Sequence, residues 1–119
     1  MSLRSGVSVL IVREPWATRL VRGEKTLEIR GSRCLKPEGE RFYIARSRSG
    51  GRVVGEVAFV RCFGPMNDSD FDAMRAEHLV EGPRMYNKTY AWEVGDAVEF
   101  AEPIAWSQPH GAVIWATVP

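Results

Sequence analysis

The chain has 119 residues, of which 45% are hydrophobic and 26% charged, as expected for one soluble globular domain. Its apolar runs are far shorter than the roughly 20 residues of a membrane-spanning helix. Its first residues lack the apolar core of a signal peptide. We therefore expect a cytoplasmic protein with no membrane role, with a flexible end at residues 1–6 and a single domain at 7–119.

The net charge of +1 conceals an asymmetry between the two halves of the chain. Residues 1–61 carry 13 Lys and Arg against 6 Asp and Glu, a net charge of +7, and residues 62–119 carry a net charge of −6. A basic half that forms one face would offer a surface for phosphates. Alternatively, the two halves attract each other within the fold.

The first half reads as strands around one short helix. The segment from Val7 to Val12 is β-branched and apolar, which predicts a buried strand. A two-turn helix follows, with Pro15 at its start and Gly23 at its end. Further strands are predicted at 26–30, 41–45 and 52–63, with a loop at 31–40 and a basic hairpin loop at 46–51.

The second half adds a helix and three more strands. Asp68 or Ser69 can cap a helix that runs through Arg75. Strands are predicted at 89–94, 97–100 and 112–118, and Gly95-Asp96 is predicted to form a turn between the first two. This order favours a small α+β domain built on a mostly antiparallel β-barrel with two or three short flanking helices.

The densest polar cluster is Gly23-Glu24-Lys25-Thr26-Leu27-Glu28-Ile29-Arg30-Gly31-Ser32. In a strand, Thr26, Glu28 and Arg30 would share one face. Arg30 can bind a phosphate, and Lys25 adds a positive charge. Glu28 can accept a hydrogen bond from the amino group of a nucleobase or act as a general base in catalysis. The glycine before Ser32 would allow backbone to approach a ligand closely. The alternative is a solvated strand face with a Glu–Arg pair.

Two other segments carry candidate binding residues. Lys88 and Thr89 precede Tyr90 and Trp92, a mixture typical of surfaces that hold phosphates and stack bases, although Trp92 is more simply a core residue. His110 precedes a glycine in a predicted loop and has a usable proton near neutral pH.

Cofactors and metals are not expected. The cysteines, Cys34 and Cys62, lack a metal-binding spacing and read as reduced, largely buried thiols. The sequence also contains no P-loop, GxGxxG, HExxH or nucleophile elbow.

Taken in order, these segments resemble the ASCH domain, a relative of the PUA domain. The resemblance runs from about Val7 to Val118 and is carried by Glu14-Pro15-Trp16, the Gly23–Ser32 cluster, Lys88-Thr89-Tyr90-Ala91-Trp92, Glu102-Pro103-Ile104 and Pro109-His110-Gly111-Ala112-Val113-Ile114-Trp115. It implies a β-barrel whose cleft binds RNA or a nucleotide and is lined by Lys25, Thr26, Glu28 and Arg30, with Trp16, Lys88 and Thr89 nearby.

Some members of the family are enzymes. An amidohydrolase branch removes the acyl group from N4-acetylated cytidine with a lysine, a threonine and a glutamate. Lys25 falls at the lysine, but the threonine position, three residues later, holds Glu28. Another relative resembles a ribonuclease, for which Lys25, Glu28 or His110 could provide acid–base chemistry.

Three hypotheses follow. The first is a binding module for RNA or a modified nucleotide, with an unknown oligomeric state, monomer or weak dimer. The second is a small metal-independent hydrolase of a modified nucleoside or RNA, which predicts that Lys25 lies in a closed pocket with a lowered pKa. The third is a protein-interaction domain, which predicts a buried, self-paired Glu28–Arg30 and no concave basic surface.

Overall fold

The computed structural model describes residues 2–48, 51–109, 111–112 and 114–119. Within these residues the chain forms six strands and three short helices, in agreement with the predicted α+β fold. In chain order these are β1 (Ser8–Val12), α1 (Trp16–Val21), β2 (Leu27–Arg30), β3 (Arg41–Arg46), β4 (Arg52–Phe63), α2 (Asp68–Ala73), α3 (Arg75–His78), β5 (Tyr90–Ala105) and β6 (Trp115–Thr117).

The strands form a single sheet that curls into an incomplete barrel. Their order is β2-β5-β4-β3-β1-β6; β1 and β3 run parallel, and the other described pairs are antiparallel. The ends of the sheet approach each other, since Trp92 of β5 stacks on Trp115 of β6 with ring centroids 5.9 Å apart. Arg30 of β2 donates a hydrogen bond of 3.1 Å to the carbonyl of Ile11 in β1. We call this opening between β2 and β1 the seam.

The interior of the curl is the main hydrophobic core, and α1 closes one side of it. Leu20 and Val21 of α1 are buried against the sheet. A Cβ at Gly55 of β4 would collide with the carbonyl of Val98 and lie 2.7 Å from Cγ1 of Val21, so a glycine lets the helix seat closely. The other buried members of this core are Leu10, Val12, Ala17, Cys34, Phe42, Ile44, Val54, Val57, Phe59, Tyr90, Trp92 and Val94.

The predicted helix after residue 67 is present, but its details differ. Asn67, rather than Asp68 or Ser69, is the N-cap, and its side chain accepts from the Asp70 amide at 2.8 Å. The helix is also divided at Met74, where φ is −108°. The chain continues beyond Met74 as α3, whose last residue, His78, lies beside the seam and accepts a hydrogen bond from Lys25.

The predicted turn at Gly95-Asp96 is wrong, because β5 continues from Tyr90 to Ala105. Asp96 has a positive φ of 47°, and the pairing shifts by one residue there, from Ala58 opposite Gly95 to Glu56 opposite Val98. This is the signature of a β-bulge. Glycine and aspartate are common both in β-bulges and in tight turns, so the residue types at 95 and 96 could not distinguish a bulge from a turn.

The remaining predictions concern the chain ends and the cysteines. Residues 115–117 form β6, within the predicted strand at 112–118. Cys34 and Cys62 are free thiols, the first buried and the second half-buried. The amide of Arg4 donates to the Tyr43 hydroxyl at 3.0 Å; the flexible end at 1–6 and the domain start at residue 7 stay predictions.

Candidate functional site

A cleft of about 750 Å³ opens at the seam. It lies where the sheet fails to close, so strand ends and loops from distant parts of the chain meet there. Its described lining residues come from β1 and α1, from β2 and its following loop, from the end of β3, and from the segments around α2, α3 and β6: Ile11, Arg13, Trp16, Lys25, Glu28, Ile29, Arg30, Gly31, Ser32, Ser47, Arg48, Phe71, Val80, Met85, Tyr86 and Ile114.

A row of three charged side chains forms the base of the cleft. Glu28 is 5% exposed, and each of its carboxylate oxygens faces a different cation. Its Oε1 lies 3.6 Å from Nζ of Lys25, and its Oε2 accepts from Nε of Arg30 at 2.9 Å. The alternation of β2 places Glu28 and Arg30 on one face, and Lys25 enters from the turn before the strand. The row therefore holds two cations around one carboxylate.

Lys25 is the most unusual member of this row. Its side chain is 1% exposed, and its Nζ donates to the carbonyl of His78 and lies 4.8 Å from the Trp16 ring centroid. Burial lowers the pKa of Lys25 to about 8, and the neighbouring Glu28 carboxylate only partly opposes this effect. A lysine with this pKa can exchange a proton near neutral pH.

Arg30 connects the row to the opposite side of the seam. It donates to Glu28 and to the Ile11 carbonyl, and its guanidinium carbon lies 5.5 Å from the Trp92 ring centroid. Trp92 is buried, as predicted, and its Nε1 donates to the carbonyl of Ser32 at 2.8 Å. The core thus fixes the direction in which the guanidinium points.

The predicted site residues separate into three groups: those that line the cleft, those that are absent from its lining, and one that lies outside the described residues. Trp16, Lys25, Glu28, Arg30 and Ser32 all line the cleft.

Thr26, Lys88 and Thr89 are not among the lining residues. Thr26 precedes β2, and its backbone bonds to Glu77 and Val94. Thr89 is fully buried, and its hydroxyl donates to the Tyr86 carbonyl at 2.9 Å. Lys88 is exposed. His110 lies outside the described residues. The binding roles of all four stay predictions.

Sequence reasoning missed several lining residues. Arg13 and Arg48 follow β1 and β3, which are parallel neighbours, so the two arginines reach the same end of the sheet. Met85 and Tyr86 belong to an irregular loop between α3 and β5. The clearest available signal was the basic composition of the loop that contains Arg48; the pairing of β1 with β3 could not be inferred from composition.

His78 supports Lys25 from beneath the cleft. It is fully buried and stacks on Phe71 with ring centroids 4.1 Å apart. Its Nδ1 accepts from the Val80 amide at 3.0 Å, so Nε2 carries the proton and donates to the Phe71 carbonyl at 2.8 Å. Both ring nitrogens are used by a neutral imidazole, which fixes the carbonyl that receives the Lys25 hydrogen bond.

The neutral state of His78 predicts a loss of stability in acid. Burial, together with nearby Lys25 and Arg75, lowers the pKa of His78 below its ordinary 6.5, against opposing contributions from the Phe71 carbonyl and Glu77. As the pH falls below 6.5, the unfolded chain binds a proton that the folded protein still excludes. The free energy of unfolding should then fall by at most about 1.4 kcal/mol per pH unit from this group.

Urea unfolding between pH 8 and pH 5 checks this expectation against His78→Gln, which lacks the titrating ring. The stability of the wild type should fall more steeply below pH 6.5 than that of the variant. Parallel curves would show that His78 does not remain neutral in the fold.

Comparison with protein families identifies the chain. The profile of the ASCH domain matches residues 10–108, which make up most of this chain. The chain belongs to the ASCH domain family. Comparison with curated proteins found no match.

Three solved structures that this chain resembles are of an ASCH protein from Zymomonas mobilis. The ASCH protein of that organism superposes with a TM-score of 0.74 at 16% identity, covering 96% of this chain and 88% of the other. Two variants of that protein, one with a serine changed to alanine and one with a tyrosine changed to phenylalanine, superpose with TM-scores of 0.73 and 0.68 at 16% and 18% identity. They cover 97% and 96% of this chain, and 89% and 91% of their own. At such identities the likeness confirms the fold.

Two further findings concern the described part of the ASCH chain. No helix there is long and apolar enough to cross a membrane. No group of three or more His, Cys, Asp or Glu side chains lies there in an arrangement that could hold a metal ion.

Proposed function

We propose that this ASCH protein binds a nucleotide, either free or within single-stranded RNA, in the cleft at the seam. The observation that carries the proposal is the charge of the cleft. Its described lining includes four cations, Arg13, Lys25, Arg30 and Arg48, and a single acid, Glu28. A concave surface with this excess of positive charge favours an anionic ligand.

The cations fall into two classes that suit different parts of a ligand. Lys25 and Arg30 are engaged by Glu28 at the base of the cleft. Arg13 and Arg48 are exposed, and neither forms an ion pair within the described residues. Their guanidinium groups are therefore available for phosphate oxygens, which arginine binds in a bidentate manner.

The uncharged lining favours a nucleotide over a simple anion. Trp16, Tyr86, Met85 and Ile114 provide aromatic and apolar surface in the same cleft as the cations. Bases within single-stranded RNA are recognised by stacking on such side chains, whereas the phosphates are bound by Arg and Lys. A cleft of about 750 Å³ lies within the range of small-molecule sites.

Fluorescence anisotropy with labelled single-stranded RNA tests the proposal. With three or four phosphate contacts, the logarithm of the association constant should fall with the logarithm of salt concentration at a slope of roughly −2 to −3. Measurements at low and near-physiological salt define the slope.

Matched substitutions identify the cleft as the binding surface. The variant Arg13→Gln/Arg48→Gln should weaken binding and make the salt slope shallower by about 1 to 1.5. Arg61→Gln, which removes an exposed arginine outside the cleft, is the control. Equal losses of affinity in the double variant and in Arg61→Gln would overturn the placement of the binding surface at the cleft. No RNA binding by the wild type at either salt concentration would overturn binding within RNA and point instead to a small nucleoside-like ligand or a protein partner.

A second function, metal-independent hydrolysis of the bound nucleotide, is favoured by the environment of Lys25. Burial lowers the pKa of Lys25 to about 8, which supports this hypothesis, although Lys25 lines an open cleft rather than a closed pocket. In its neutral form Lys25 can take a proton from an attacking water, and its conjugate acid can return that proton to the leaving nitrogen of an N-acyl base. Water adds to the acyl carbon, the acyl–nitrogen bond breaks, and a carboxylic acid and an amine are released.

Chromatography of reactions with N4-acetylcytidine and with single-stranded RNA tests this second function. Release of acetate and cytidine, or cleavage of the RNA, should occur with the wild type and disappear in Lys25→Met. If the wild type binds these substrates but leaves them intact, the protein is a binding module and the second function is wrong. By the sequence resemblance, Glu28 falls at the position where the amidohydrolase branch carries threonine, so this reaction would have to proceed without that threonine.

A further inference from the structure

We infer that Tyr86 is the platform on which the ligand's base stacks, an inference that rests on the proposed binding of a nucleotide in the cleft. Tyr86 was not among the residues suggested by the sequence. It lines the cleft and is 39% exposed. The inference depends on how its ring is supported, on how its loop is held and on what surrounds it.

The ring of Tyr86 is supported by the backbone of Gly31. Its Cδ1, Cγ and Cε1 atoms lie 2.9, 3.4 and 3.5 Å from the position that a Cβ of residue 31 would occupy. Only a residue without a side chain lets the ring pack this closely. Since Gly31 follows β2 directly, the ring is placed next to the charged row at the base of the cleft.

The loop that carries Tyr86 is held by Arg84. The Arg84 guanidinium donates to the carbonyls of Tyr86 and Asn87 at 2.8 and 3.2 Å, to the Thr89 hydroxyl at 3.1 Å and to Asp68 at 2.8 Å. The Tyr86 carbonyl also accepts from the buried Thr89 hydroxyl. These bonds order the loop before any ligand arrives, which reduces the entropy lost when a ligand binds.

The surroundings of the Tyr86 ring suit a base that is attached to a phosphate. Met85 and Ile114, which are 78% and 41% exposed, also line the cleft. Together with the Tyr86 ring they provide apolar surface inside the cleft that a base could cover. The guanidinium groups of Arg13 and Arg48, which form no ion pair with the residues that the structure describes, line the same cleft, so one ligand can place its phosphate on the arginines and its base on Tyr86.

The experiment compares two labelled oligomers of equal length, single-stranded oligouridylate RNA and the same oligomer with abasic sites. Both carry the same phosphates, so their difference in affinity measures the contribution of the bases. The wild type should bind the oligomer with bases roughly 10- to 100-fold more tightly. Tyr86→Ala should remove most of this preference, and Tyr86→Phe, which keeps the ring, should restore it.

Two further variants separate stacking from general damage. Gly31→Ala leaves the tyrosine intact but adds a methyl group that displaces its ring, and should reduce the preference for the bases as Tyr86→Ala does. Leu35→Ala removes a side chain that is 90% exposed and outside the cleft, and should change nothing. A preference that survives in Tyr86→Ala would overturn the inference and leave the proposed function standing, as would equal binding of both oligomers by the wild type. No binding of either oligomer would overturn the proposed binding within RNA and, with it, the stacking of an RNA base on Tyr86.

Discussion

Replacing Lys25 with methionine is expected to stabilise the protein at pH 7 and, under the proposed function, to weaken RNA binding and abolish the proposed hydrolysis. Burial is the largest influence on the pKa of Lys25, which it lowers to about 8. A shift of this size corresponds to a cost of about 3 kcal/mol for keeping the lysine charged in the fold. Methionine has a similar shape without the charge. After about 1 kcal/mol is lost from the hydrogen bond to the His78 carbonyl, the free energy of unfolding should rise by about 2 kcal/mol.

The pH dependence of this gain provides a sharper check. Below pH 8 both the folded and the unfolded wild type hold the Lys25 proton, so the cost is constant. Between pH 8 and pH 10.5 the folded state releases the proton while the unfolded state retains it, and the wild type becomes relatively more stable. Urea unfolding should therefore show an advantage of Lys25→Met that is smaller at pH 9 than at pH 7 by about 1.4 kcal/mol.

Lys88→Met is the matched control, because Lys88 is exposed and its replacement should leave stability unchanged at both pH values. Its effect on RNA affinity also tests whether Lys88 contributes to binding. A less stable Lys25→Met protein at pH 7 would show that the lysine is retained for the fold. A stabilising change that removes activity is characteristic of a functional site.

Replacing Arg30 with methionine should have the opposite effect on stability. The Glu28 side chain is 7% exposed, and its Oε2 accepts a hydrogen bond from Nε of Arg30 and lies 2.8 Å from Nη2 of the same residue. Without the guanidinium, the carboxylate keeps only the longer contact with Lys25 at 3.6 Å. Loss of one partner from a buried ion pair typically costs about 3 kcal/mol. We expect a fall of that size in the free energy of unfolding at pH 7, together with weaker RNA binding.

The double variant Glu28→Gln/Arg30→Met separates the two effects. It removes the carboxylate together with Arg30 but leaves the buried Lys25 without its counterion, so stability should recover only in part, by about 1 kcal/mol relative to Arg30→Met. RNA binding, measured by anisotropy, should stay weak because the cleft still lacks the arginine. Full recovery of binding in the double variant would show that Arg30 acts only by holding Glu28.

Much of the fold and the base of the site could be predicted because the relevant signals are local. Alternation in the segment from Leu27 to Arg30 places Glu28 and Arg30 on one face, and this is how β2 presents them. Pro15 and Gly23 bracket α1 for reasons of backbone geometry alone. The structure also shows a Glu28–Arg30 ion pair in which Glu28 is buried and Arg30 is half-buried. The third hypothesis expected such a pair, but here it lines a concave basic cleft, which that hypothesis excluded.

The remainder of the site depends on contacts between distant segments. Thr89 belongs to a segment of polar and aromatic residues that resembles a binding surface, yet its hydroxyl bonds within its own loop and supports Tyr86. Gly31 was expected to admit a ligand, and in the structure it admits the ring of Tyr86. The pattern of residue types was informative in both cases, but the partner could be identified only once the chain had folded.

The charges of β2 also bear on how the protein avoids association with itself. As the last strand on its side of the sheet, β2 presents an edge on which a strand from another molecule could add by backbone hydrogen bonds. Inward-pointing charged side chains on an edge strand oppose such pairing, because an added strand would have to extend the core beside buried charges. Glu28 and Arg30 thus oppose the addition of a foreign strand at the same seam where we propose that the ligand binds. Neutral substitutions in β2 should therefore lower the solubility of the protein as well as the proposed binding.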